Sequence, residues 1–106
     1  MSEAVIIKMI DYGESVGSRE LGREIRQKAA VLLKEEKGIF FDFFGVHIIS
    51  SAFADELFGK LFGQIGREQF KEHIKINRFS NEEDRQVILL LIKKAIDFRE
   101  THTQSS

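Results

Sequence analysis

The period of the hydrophobic pattern changes several times along this chain, and each change marks an element. Residues 4–10 (AVIIKMI) are rich in β-branched side chains and almost continuously apolar, which predicts a strand near the middle of a sheet. Residues 11–17 (DYGESVG) read as a turn. From Ser18 the period becomes helical. Leu21, Ile25, Ala29, Leu32 and Leu33 share a face, Ser18 is placed to cap and Gly38 to stop, so a helix is predicted over 18–37. Residues 38–44 (GIFFDFF) are apolar on both sides of a period-two pattern, as in a central strand covered on both faces, with Asp42 the one polar interruption.

After a turn at Gly45, Ser50 or Ser51 is placed to cap a second helix. Its apolar stripe is Phe53, Leu57, Phe58, Leu61, Phe62 and Ile65, and Gly66 ends it. Residues 73–77 (HIKIN) alternate as a short strand. Ser80-Asn81-Glu82-Glu83 spells a capping box before the run VILLLI and its continuation to Phe98, predicting a third helix of about five turns. Residues 101–106 read as a disordered polar tail. The order strand, helix, strand, helix, strand, helix with short connections defines a single α/β domain over residues 1–100, one small sheet backed by helices.

Composition narrows the chemistry. At 106 residues there is material for one core. The chain holds no cysteine and no proline, which removes disulfides, thiolate nucleophiles and thiolate metal sites. Seventeen acidic side chains against 16 basic ones give a net charge of -1, so attraction to nucleic acid or anionic lipid needs a local patch. No apolar run is long enough to cross a bilayer and no signal-peptide pattern is present, so a cytoplasmic location is expected. Seven of the ten phenylalanines lie between Phe40 and Phe62, which places the centre of the core there.

One segment carries a resemblance. Asp42-Phe43-Phe44-Gly45-Val46, then Ser50-Ser51 and Ala52-Phe53-Ala54-Asp55-Glu56-Leu57, resembles the STAS-like family of unknown function, in which an aspartate-led strand is followed by an Ala-Phe-Ala-Asp-Glu-Leu helix start. Ser18-Arg19 at the first helix also matches. That family is similar to STAS domains, the anti-sigma-factor antagonist fold. The resemblance implies a STAS-like β-α-β-α-β-α order and a non-enzymatic regulatory module of bacterial-type signalling. It also implies a protein partner, often a GHKL-type ATPase or kinase or an anti-sigma-like regulator. In the antagonists a serine capping the second helix accepts phosphate in an Asp-Ser-Ser-Gly-like setting. Here the stretch reads Ile49-Ser50-Ser51-Ala52-Phe53, with the serines kept and the flanking residues replaced.

The candidate partner-binding or phosphoacceptor residues are therefore Ser50, Ser51, Asp42, Asp55, Glu56 and Gly59. A phosphate on the helix start would meet free N–H groups, whereas Asp55 and Asp42 would repel it and leave the serine a plain cap. Asp42 is either a partner-facing acid or a carboxylate that stabilises the following turn. Ala52, Asp55, Glu56, Gly59, Lys60 and Gly63 are expected on the exposed face of the second helix, as a docking surface or as a solvated face with a Glu56–Lys60 pair. Two other functions compete. One is a small hydrolase or transferase using Ser51, His47 and Asp42, without a nucleophile elbow to support it. The other is a nucleic-acid module using the basic stripe Arg19, Arg23, Arg26, Lys34 and Lys37, which Glu20, Glu24 and Glu35 offset. His47, His73 and His102 lack metal-ligand spacing, and neither a metal nor another cofactor is expected. Six consecutive apolar residues in the third helix exceed one stripe and leave surface for a homodimer.

Overall fold

The structure, a computed structural model, describes residues 4–103. β1 (Ala4–Lys8) passes into a 3-10 turn at Met9–Tyr12, then β2 (Ser15–Val16) and α1 (Arg19–Lys34). β3 (Gly38–Asp42) and β4 (Ile48–Ile49) lead to α2 (Ser51–Ala54), a π-helical turn at Asp55–Gly59, and α3 (Lys60–His73); β5 (Ile74–Asn77) and α4 (Glu82–Thr103) complete the chain. The result is α/β, with a small parallel sheet in the order β1-β3-β5 and a second parallel pair, β2-β4.

β3 is central, as its aromatic pattern predicts. β1 is not: it pairs with β3 alone and forms one edge. Its near-continuous apolar run misled because Met9 leaves the strand and is buried in the 3-10 turn, while Ile6 stands 60% exposed. β3 also differs from expectation in being covered on one face. Ile7, Phe41 and Ile76 share a register row beneath the helices, as do Val5, Ile39 and Ile74, whereas the alternate row Ile6, Phe40 and Lys75 looks outward. Successive side chains of a strand point to opposite faces, so only alternate residues enter this core.

Ser18 caps α1, its Oγ accepting from Leu21 N at 3.1 Å. The helix stops at Lys34 rather than Lys37: Glu36, not Gly38, takes the left-handed conformation, at φ 61°. The 11–17 turn contains β2, which pairs Ser15 with Ile48 and Val16 with Ile49. Gly66 breaks α3 at φ 87°, ψ 167°, a backbone open to glycine, but the helix resumes to His73 instead of ending. Exposed Arg67, just past the break, pairs with Glu100 of α4. Asn81 caps α4 through Oδ1, which accepts from Asp84 N at 2.8 Å. The helix then runs to Thr103, into the stretch expected as tail, and residues 104–106 lie outside the described residues. α4 rests on the π turn, α3, α2 and β4.

The core gathers where the phenylalanines cluster. Phe41, Phe43, Phe53 and Phe58 are fully buried, and Phe41 meets Phe58 edge to face at 5.0 Å between centroids.

Candidate functional site

The chain between β3 and α2 crosses the top of the sheet as a rigid tip, and its backbone shows why. Phe43 N donates to the Asn77 and Arg78 carbonyls, Phe44 N to Asp42 Oδ1 at 2.9 Å, and Gly45 N to Ser80 Oγ at 2.8 Å. Val46 N reaches the Phe43 carbonyl, His47 N that of Glu14, and Ser50 N that of Val16. Gly45 has φ 92°, and Ile10 packs so closely that a Cβ there would lie 2.9 Å from its Cδ1. Phe43, Val46 and Ile49 are buried anchors between these bonds. Between the anchors the tip presents Phe44, His47 and Ile48 to solvent, with Phe44 52% and Ile48 54% exposed.

Asp42 stabilises the turn. Its side chain is buried, and beyond the Phe44 bond its Oδ2 lies 3.4 Å from Arg78 Nη1. Arg78 sits at φ 61°, and its guanidinium lies over the Phe44 ring at 5.4 Å. The partner-facing role weighed for Asp42 has no surface to act through.

The two serines divide their tasks. Ser50 is the cap: its Oγ accepts from Phe53 N at 3.0 Å and donates to the Gly17 carbonyl at 2.6 Å. Ser51 is exposed, and its hydroxyl has no hydrogen-bond partner among the described residues. It borders a groove of about 340 Å³ between α2 and α4, lined also by Arg19, Asp55, Leu91, Lys94 and Phe98.

The middle of the face expected to be exposed on the second helix is instead an internal contact, and only Gly63 at its end is exposed. Glu56 is 5% exposed, Gly59 is buried and Asp55 is half-buried. Arg99 of α4 clamps Asp55, Nε to Oδ1 at 2.9 Å and Nη2 to Oδ2 at 2.7 Å, and Arg19 of α1 adds a contact at 3.4 Å. Arg26 donates from Nη2 to Glu56 Oε2 at 3.0 Å and from Nε to the Glu56 carbonyl at 2.9 Å; Lys60 and Arg19 complete the shell. The helical wheel misassigned this face because two more helices pack on it, with charges supplied from distant sequence. A Cβ on Gly59 would lie 2.8 Å from Asp55 Oδ1 and 3.3 Å from the Ala95 carbonyl, so this glycine serves the close approach of α4.

The clamps set the titration. The Arg99 hydrogen bond, aided by its charge and by Arg19, outweighs burial and holds the Asp55 carboxyl below its usual range. Burial alone would raise Glu56, but hydrogen bonds from Lys60, Arg26 and Arg19 overcome it and its pKa is also lowered. Asp55 in turn holds the Arg99 guanidinium more firmly protonated. Asp55 therefore brings little net negative charge to Ser51, and Asp42 is engaged with Arg78. The repulsion expected for a phosphate is offset, and Lys94, without an ion-pair partner among the described residues, adds a cation to the groove.

The competing sites do not assemble. His47 Nδ1 meets Asp84 Oδ2 at 2.8 Å, not Asp42, and no hydrogen bond among the described residues joins His47 to Ser50 or Ser51. The triad of Ser51, His47 and Asp42 is thus not formed. Of the basic stripe, Arg26 is turned inward onto Glu56, whereas Arg19 leans toward Asp55 and Glu56 at 3.4 and 3.3 Å with its side chain still largely exposed, so the stripe is not continuous. Among the described residues no group of side chains is arranged to hold a metal ion, and no helix is long and apolar enough to cross a membrane.

The third helix was expected to carry more apolar residues than one stripe needs, and the outer face of α4 does present exposed apolar side chains. Val87, Leu90 and Phe98 are roughly half exposed, while Ile88, Ile92 and Ala95 are buried. Spacings of three and eight residues set the exposed three on one stripe. The surplus in VILLLI was the available signal.

Residues 22–84 match the family described as STAS-like domain of unknown function (DUF4325). This spans more than half of the chain, and the protein belongs to that family. No curated protein and no solved structure matches it.

Proposed function

We propose that this chain is a non-enzymatic, cytoplasmic regulatory module that docks a protein partner through the Ser51 loop, Ile48 and the outer stripe of α4. The observation that carries this reading is an apolar surface, Ile48 with Val87 and Leu90, each about half exposed beside a serine hydroxyl that has no partner among the described residues. β4 packs on α4 and Ser51 shares a groove with Phe98, so the tip and stripe are contiguous. Rigidity lowers the ordering cost of association.

The partner is a GHKL-type ATPase or kinase or an anti-sigma-like regulator, the class that the STAS-like resemblance implies. Ser51 is the phosphoacceptor: its Oγ takes the γ-phosphoryl group of ATP, releasing ADP and the hydroxyl proton. The new dianion lies between Arg19 and Lys94 and changes the sign of the groove. Incubation with ATP and the GHKL-type kinases of the same organism, read by phosphopeptide mass spectrometry, tests this. Phosphate on Ser51 that Ser51→Ala removes is the expected result; phosphate confined to Ser50, or none with any such kinase, contradicts it.

A further inference from the structure

The outward face of the three-stranded sheet poses a problem that the docking surface on α4 does not solve. All-parallel sheets occur almost only with both faces covered. Here α1 and α3 contact the sheet and one another, and in the register rows that meet them Ile7, Ile39, Phe41 and Ile74 are buried while Val5 and Ile76 are half-buried. The alternate rows are Ala4 with Gly38, Ile6 with Phe40 and Lys75, and Lys8 with Asp42 and Asn77. Ile6 is 60% exposed, Phe40 half-buried, and Ala4, Lys8 and Lys75 are exposed.

Two features of this face define what fits it. The first is size. Three strands about 4.8 Å apart span roughly 10 Å, the width of one helix. β1 and β3, five residues each, run about 17 Å, the length of a helix of about three turns. The second is charge. The apolar centre of Ile6 and Phe40 is flanked by Lys8 on one edge strand and Lys75 on the other, neither with an ion-pair partner among the described residues, while the acid of these rows, Asp42, is held by Arg78 and the Phe44 amide. A second copy stacked face to face would bring these lysines toward each other, at an electrostatic cost.

We propose that this face binds one amphipathic helix of a partner protein, with its apolar stripe on Ile6 and Phe40 and acidic residues on both flanks against Lys8 and Lys75. The chain is then bivalent: this helix and the partner at the Ser51 loop occupy different surfaces, and neither proposal depends on the other.

Two synthetic helical peptides of about 14 residues, sharing a leucine stripe but flanked by glutamates in one and lysines in the other, test the proposal by fluorescence anisotropy. The glutamate-flanked peptide should bind at least about tenfold more tightly, and more weakly as salt rises. Ile6→Asp should abolish binding, and the double variant Lys8→Glu/Lys75→Glu should invert the preference. All three positions are exposed, and circular dichroism checks that the variants fold. Binding of neither peptide, or equal binding of both by the wild type, overturns the proposal. So does sedimentation showing a dimer that Ile6→Asp separates, since the occupant would then be a second copy.

Discussion

Arg99 near the end of α4 grips Asp55 of the π turn with both arms of its guanidinium, at 2.9 and 2.7 Å. The pair joins residues 44 positions apart and stitches the last helix to the motif that carries the family resemblance. Bidentate geometry makes this clamp directional as well as strong. Asp55 and Glu56 thereby act as internal struts, with α1 held through Arg19 and Arg26 and α4 through Arg99.

Glu56→Ala should destabilise the protein by about 3 kcal/mol, because it strands the half-buried Arg26 guanidinium without its carboxylate. Urea unfolding monitored by circular dichroism measures the loss. A change below about 0.5 kcal/mol would place the cluster among inert surface pairs.

Stability should fall in acid for the same reason. Folded-state pKa values of Asp55 and Glu56 lie below their ordinary 3.8 and 4.5. Their contribution is therefore full above those ordinary values and disappears as pH falls through the lower folded ones. Unfolding midpoints followed from pH 7 to pH 2 should drop through this window, and the double variant Asp55→Asn/Glu56→Gln should start lower at pH 7 and drop less.

Two glycines, Gly59 of the π turn and Gly63 of α3, should respond oppositely to alanine. Gly59→Ala drives a methyl group against Asp55 Oδ1 and the Ala95 backbone and should lower the melting temperature. Gly63 has nothing within 4 Å of an added Cβ, so Gly63→Ala should gain about 0.5–1 kcal/mol from helix propensity. Thermal melts of both variants check the signs.

Ser50→Ala should cost about 1 kcal/mol or more, through loss of the cap to Phe53 N and of the bond to Gly17. Ser51→Ala should leave stability within about 0.5 kcal/mol of wild type. Equal losses for the two, in the same unfolding assay, would contradict the division of tasks between them.

Much of the fold was legible in local pattern. The aromatic run GIFFDFF marked the central strand, Ser18 and Asn81 lay within the capping signals that open α1 and α4, and the two serines bracketed the start of α2. The readings that failed depended on contacts between distant residues. Ile6 and Ile7 are chemically alike, yet one faces solvent and the other the core, because strand alternation and the placement of helices on one side decide between them. Asp55 and Glu56 looked solvent-facing because charge favours a wet surface; the arginines that allow their burial come from α1 and α4. The turn between β3 and α2 was placed correctly, but the exposed apolar stripe lies on α4 and not on the helix that follows the turn. The exposed stripe of α4 was visible only as an excess of apolar residues in VILLLI, without a sign of which ones stay uncovered.

The central claim is that the Ser51 loop and the outer stripe of α4 together receive a protein partner. Hydrogen–deuterium exchange of the chain with and without a GHKL-type ATPase of the same organism tests it most directly. Slowed exchange over residues 48–52 and 87–98, lost in the variant Ile48→Glu/Leu90→Glu, is the predicted result. Protection confined to other segments, or binding by that variant undiminished from wild type, would contradict the claim.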